Sequence, residues 1–147
     1  MTRYREAFSW TRSIDEFVQW EVTEAPLLHV CSGRSEWGDT TVDLFEPADV
    51  KASWTDLPFP DDSYGAVFAD PPWDSGHKME VAAFMREAMR IAPVAYLMSP
   101  WVYCAWWTRI TKLWWREFPG VNTPILLARY ERPAQLTLLP SPLGSAD

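Results

Sequence analysis

The chain has 147 residues, nearly half of them hydrophobic and ten of them Trp, enough apolar mass for one domain with a real core. A net charge of −7 argues against a broad nucleic-acid surface, which would be basic, and leaves room for a local basic patch, a small substrate, a partner subunit or a high-salt habitat. Two cysteines, Cys31 and Cys104, make no disulfide framework and no metal-ligand spacing, no apolar run reaches membrane-spanning length, and the opening MTRYREAFSW has no signal-peptide core, so a cytoplasmic protein without a metal or a membrane role is expected.

Residues Ser13 to Trp20 read as a helix, with Ser13 as N-cap, Glu16 three residues on, and Ile14, Phe17 and Val18 on one face. Pro26 ends this lead-in, and Leu27 to Cys31 form the first strand, which runs into the turn Ser32-Gly33-Arg34-Ser35. Thr40 to Asp43 make a second strand ending in an acid, with Asp39 and Glu46 as neighbouring acids, and Val50 to Trp54 a third. The segments between these strands are shorter than the dozen residues a parallel crossover normally needs, so the first two crossover helices are expected to be missing. One sheet face would then be covered by little beyond the N-terminal helix, and a homodimer or a heteromer is expected.

Asp61, Asp62 and Ser63 turn the chain into Tyr64 to Trp73, YGAVFADPPW. Ala66 to Ala69 is the apolar run of a buried parallel strand, and two prolines cannot continue a ladder, so the chain leaves the sheet at Asp70. In open α/β sheets ligands bind at the carboxyl ends of the strands. This stretch therefore brings a carboxylate, stiff carbonyls and a large aromatic face to a site position.

Asp74 to Lys78 reads as a polar gate over that position, followed by an amphipathic helix from Met79 to Ile91, with Val81, Phe84, Met85, Ala88 and Met89 on one face. Val94 to Ser99 is the strand beside the motif strand, leading to Pro100 and Trp101. Val102 to Lys112 reads as a helix, and Trp114 to Phe118 with Pro124 to Tyr130 as a closing antiparallel hairpin. The Pro-, Ser- and Leu-rich residues from Pro133 to Asp147 read as a tail of low order after a domain spanning 1–132, although Leu136, Leu138 and Leu139 could cover apolar surface.

Asp70-Pro71-Pro72-Trp73 resembles the catalytic motif of class I S-adenosylmethionine (SAM)-dependent amino-methyltransferases, in the spelling of the adenine-N6 members such as phage-type DNA adenine methyltransferases. The stretch DLPFPDDSYGAVFADPPW is the longest continuous match, and the resemblance covers Leu27 to Tyr130. It implies a reduced Rossmann-like α/β fold, mostly parallel, with a C-terminal antiparallel hairpin. It also implies that Cys31, Ser32 and Gly33 pass under the SAM methionine, that Asp43 takes the ribose hydroxyls, and that Asp56 and Leu57 hold the adenine ring, with Asp70 bordering the cofactor. Asp70 and the carbonyls of Pro71 and Pro72 would accept hydrogen bonds from the target amine, and Trp73 would stack on the base. His77, Lys78 and Trp101 are candidate substrate contacts, against the alternative of a solvated loop and a core Trp.

The order of motifs, cofactor loop before DPPW, is the reverse of that in the messenger-RNA adenine enzymes. The substrate expectation is therefore DNA ahead of RNA. A cytosine-N4 or small-molecule acceptor stays open, and so does a non-catalytic subunit, because the glycine loop is reduced to Gly33.

Overall fold

Four parallel strands grow outward from the apolar run that precedes the two prolines. In the computed structural model, which describes residues 12–133 except 119 and 121, Ala66–Ala69 (β4) lies between Leu27–Val30 (β1) and Val94–Ser99 (β5), parallel to both. Thr40–Asp43 (β2) and the two-residue Val50–Lys51 (β3) continue the parallel sheet beyond β1. Ile125–Glu131 (β7) pairs antiparallel with β5, and Arg109–Arg116 (β6) pairs antiparallel with β7 at the outer edge. The order is β3-β2-β1-β4-β5-β7-β6. Its direction reverses between β1 and β4, the switch point at which open sheets bind ligands. β1, β4 and β5 are buried along their whole length, which is why they read as nearly continuous apolar runs, broken only by the buried His29 and Ser99.

Alternation along these strands makes two cores. Leu28, Val30, Val67, Ala69, Ala95 and Leu97 face the helix Ser75–Ile91 (α2), whose Val81, Phe84, Met85 and Ala88 are almost fully buried. Leu27, Ala66, Phe68, Tyr96 and Met98 face the helix Arg12–Glu21 (α1), through its Ile14 and Val18. Glu24, just after α1, accepts hydrogen bonds from Tyr96 Oη at 2.7 Å and from Arg129 Nη2 at 2.9 Å, which ties this lead-in to β5 and β7.

No helix occurs between β1 and β4 among the described residues, as the short connections led us to expect. Trp side chains help to cover the space the absent helices leave. On the α1 face Trp37, from the β1–β2 connection, packs edge-on against His29 and Phe68, while Trp73 and Trp114 pack against the same core. On the α2 face Trp54 stacks on Phe84 with ring centroids 5.0 Å apart, and Trp107 is buried. Four of the ten Trp, Trp37, Trp54, Trp73 and Trp107, thus roof the sheet from connecting segments.

Five expectations need correction. α1 is helical from Arg12, so Ser13 lies inside it and is no N-cap. β1 ends at Val30, because Cys31 turns to a positive φ of 53°. β3 stops at Lys51, because Trp54 leaves the strand line to bury its ring under α2 and donate Nε1–H to Glu80 at 2.6 Å. α2 begins at Ser75 rather than Met79, because Asp74 caps it by accepting the His77 N–H at 2.9 Å. The expected helix from Val102 to Lys112 is absent. Residues 101–108 are irregular, with a Thr108–Ala105 turn, and Arg109 onward is already β6, where β-branched and aromatic residues pair with β7. The proposed tail, apart from its first residue Pro133, lies outside the described residues. No helix is long and apolar enough to cross a membrane among the residues described.

Candidate functional site

Two chain reversals meet at the switch point. β1 and β4 are in register, Val30 opposite Ala69, so Cys31 and Asp70 leave the sheet side by side. Cys31 adopts φ 53° and Gly33 φ 57°, a left-handed pair that bends the chain off the strand end. Only Gly33 takes that conformation without steric cost, and strain of the Cys31 kind gathers at functional sites. Ser32 is buried, and its Oγ has no hydrogen-bond partner among the described residues.

Asp43, at the end of β2, accepts the Gly33 N–H at 2.9 Å through one oxygen and the Phe45 and Glu46 N–H groups at 2.8 Å through the other. It therefore fixes the loop that would carry a cofactor. Burial pushes the Cys31 thiol well above the ordinary range, and the charges of Asp43, Asp70 and Glu80 add to the effect. Cys31 thus stays a neutral thiol among converging carboxylates, the reverse of a nucleophilic cysteine.

Asp70 itself is 3% exposed, and Pro71 behind it is buried. Trp73 is partly buried against the α1-side core, with Nε1 enclosed and lacking a partner among the described residues. Asp74 then starts α2, and its carboxyl is held below the ordinary range chiefly by hydrogen bonds from the His77 backbone and ring. His77 is accordingly committed to the helix start, and its ring lies 5.9 Å from that of Trp54. Lys78 and Trp101 do meet, with Lys78 Nζ 5.9 Å from the indole centroid. Ser99 Oγ bonds the Trp101 carbonyl and shapes the turn that presents the ring. Residues 75–78 are a helical turn, so the expected gate is not a loop.

The Asp56-Leu57 segment is held differently from the expectation. The Leu57 N–H, which the resemblance reserves for an adenine ring, is donated to Glu87 Oε2 at 2.8 Å, and the Leu57 side chain is buried in the α2-side core. Arg90 donates to the Leu57 and Phe59 carbonyls at 3.1 and 2.7 Å and to Asp61 at 3.0 Å. Hydrogen bonding from Arg90 keeps the Glu87 carboxylate below its ordinary range. This clamp on α2 escaped the sequence reading. Its one signal is an acid and a base three apart on a helix that otherwise reads as core. Asp56 is exposed, and its carboxylate has no hydrogen-bond partner among the described residues.

The structure therefore gathers Cys31, Ser32, Gly33, Asp43 and Asp70 at the carboxyl ends of β1, β2 and β4. It places Lys78 and Trp101 together where β5 ends, and it sets His77 and the Leu57 N–H to structural work. Asp39, the alternative acid near β2, accepts the Leu27 N–H at 2.7 Å and is structural as well.

A parallel sheet with its reversal between β1 and β4, closed by an antiparallel strand pair, is a Rossmann-like fold of the methyltransferase type. The structure of the "putative methyltransferase yhhF" from Escherichia coli resembles it with a TM-score of 0.54 and 16% sequence identity, covering 85% of this chain and 87% of that one. At this identity the likeness is one of fold. A Thermoplasma acidophilum structure, protein 1320, aligns with a TM-score of 0.49 and 10% identity over 83% of each chain. No family model and no curated protein matches the sequence.

Proposed function

We propose that the chain is a SAM-dependent methyltransferase that acts on the exocyclic N6 amine of adenine in DNA. One observation carries the reading: the in-register end of β1 and β4 sets the Cys31–Gly33 turn directly beside Asp70. The fold likeness and the DPPW resemblance support it.

The residues present fit the cofactor. Ser32 Oγ is a buried donor that lacks a partner among the described residues, and the left-handed Cys31 and Gly33 open the backbone for close approach. Cys31, Ser32 and Gly33 would hold the amino-acid part, Asp43 the ribose hydroxyls and Asp56 the purine amine. When bound, SAM supplies a methyl group made electrophilic by a sulfonium. The protein's part is positioning and electrostatics. Asp70, with a Pro71 or Pro72 carbonyl, accepts hydrogen bonds from the adenine amine, whose lone pair is otherwise delocalised into the ring. The nitrogen is drawn toward a tetrahedral shape, and a carboxylate this buried takes up the charge that develops on it. Trp73 and Trp101 are the aromatic walls of the base site, and Lys78 is the adjacent cation. The base must be outside a stack to reach them.

A second reading, a non-catalytic subunit, draws on the Leu57 N–H being spent on Glu87. Calorimetry separates the two readings, since a pseudoenzyme of this kind binds no SAM. On the catalytic reading, Asp70→Ala lowers turnover about 100-fold or more, the scale for losing one transition-state hydrogen-bond partner, with SAM affinity unchanged. Asp56→Ala does the opposite and weakens SAM binding. Equal losses in both quantities for Asp70→Ala overturn its role.

A further inference from the structure

The edge strand β6 carries a charge pattern opposite to that of the molecule. Arg109, Lys112 and Arg116 are exposed, residues 109–116 contain no acid, and none of the three cations makes an ion pair among the described residues. Arg34, Arg90, Arg129 and Arg132 are matched with carboxylates, and the other cations without an ion pair among the described residues, Lys51, Lys78 and Arg86, lie on β3 and α2. In a chain of 13 basic and 20 acidic residues, three unneutralised cations on one strand make a local positive strip.

The strip also has two distinct faces. Lys112 pairs with Arg129, Trp114 with Leu127 and Arg116 with Ile125, all on the α1 side, and Arg109 lies opposite Glu131 on that same side. Lys112 and Arg116 rest over the rings of Trp114 and Phe17, with 5.5 and 5.1 Å to the centroids. Leu113 and Trp115 point to the other side, and they are 52% and 54% exposed. Cations therefore line one face of an edge that pairs with no further strand among the described residues, and an accessible indole lies on the other.

Sheet register sets the carboxyl end of the strip, Trp115 and Arg116, at the site end of the sheet, with Arg109 at the far end. β6 and β5 both run antiparallel to β7 and are thus parallel to each other, so the carboxyl end of β6 lies at the site end of the sheet. The row Ser99, Leu126, Trp115 is continuous, and the row Ala69, Leu97, Ala128, Leu113 ends two residues short of Trp115. Trp115 therefore stands at the height of the chain just beyond Asp70, about 14 Å across from it at the usual strand spacing. It shares the α2 side with Trp101.

We propose that β6 is a docking strip for single-stranded nucleic acid flanking the target base, with phosphates on Arg109, Lys112 and Arg116 and a neighbouring base stacked on Trp115. The proposal rests on the nucleic-acid reading of the acceptor above. A polyanion complements unpaired cations in an acidic protein, and a single strand has one charged side and one aromatic side, as the strip does.

The test measures anisotropy of labelled single-stranded DNA, single-stranded RNA and duplex oligonucleotides against the full chain over a range of salt. Wild type binds single strands more tightly than duplex. Arg109→Gln with Lys112→Gln and Arg116→Gln flattens the slope of log affinity against log salt by about 0.7 per cation. Trp115→Ala weakens binding about 5- to 100-fold at fixed salt. Thermal melting checks that each variant folds, and Trp115→Phe, which keeps an aromatic face, retains most of the binding. Unaltered binding in these variants overturns the proposal. So does a change only in oligomeric mass or aggregation, which would make β6 a contact between copies or a guarded edge. Loss of methyl transfer by wild type, with the strip still binding, refutes the catalytic reading alone. Transfer to oligonucleotide that persists at full rate in the triple variant refutes the strip alone.

Discussion

His29 shows at the residue scale what the sheet does to a titratable group. It is 1% exposed on β1, its Nδ1–H donates to the Trp37 carbonyl at 2.9 Å, and Trp37 and Phe68 approach its ring edge-on at 5.3 and 5.1 Å. Burial lowers its pKa to about 4, outweighing the opposing hydrogen bond. The folded value lies below the unfolded one, so the unfolded chain binds the extra proton between the two. This part of the stability is present above the ordinary histidine range and is lost as pH falls toward about 4. Lowering pH from 7 to 5 should remove roughly 2 kcal/mol through this group, measured as a falling urea midpoint. His29→Gln should show a shallower fall over the same range, and an identical fall would assign the acid sensitivity to other groups. Nothing in LLHV marks the histidine as core, because the feature that encloses it is Trp37 arriving from a connecting loop. Asp70 was legible for the opposite reason, since an acid wedged between an apolar run and two prolines can only stand at a strand end.

Among elements, the ones carried by local pattern were read correctly and the ones decided by tertiary contacts were not. β4, β5 and the buried face of α2 follow from apolar runs and helical spacing. Only the first half of β6, Arg109 to Lys112, was misread as helix, because Val102 to Lys112 contains no Pro or Gly to break it, whereas its state is settled by pairing with β7; the strand from Trp114 was read as such. α2 starts four residues early because Asp74 caps it, a signal hidden inside a segment that looked like a polar loop. Gly65, at the entry to β4, also passed unremarked. Its N–H donates to the Pro26 carbonyl at 2.8 Å, and a Cβ there would stand 2.4 Å from the Ala25 carbonyl oxygen. That obstacle is backbone and cannot swing away, so Gly65→Ala should destabilise the protein by about 1–3 kcal/mol or more by displacing β4 from the α1–β1 lead-in. A melting temperature equal to that of the wild type would show that the approach relaxes freely.

Over the whole molecule, missing crossover helices and abundant Trp belong together. Loops too short for helices leave the sheet faces to aromatic side chains, which fill area at little cost in chain length. The switch-point geometry survives this reduction because it needs only two strand ends in register and the two turns that leave them. What the sequence could not reveal is how the Asp56-Leu57 segment is held, because the Glu87–Arg90 clamp comes from a helix some 30 residues away in the chain. The central claim, a proposal, is that the buried Asp70 at this switch point directs a methyl group onto the adenine amine. Its most direct measurement incubates the purified chain with methyl-labelled SAM and mixed single-stranded DNA and RNA, followed by mass analysis of the released nucleosides. The account predicts label in N6-methyl-2′-deoxyadenosine, lost with Asp70→Ala. Label on a ring carbon, or equal incorporation by the variant, would contradict it.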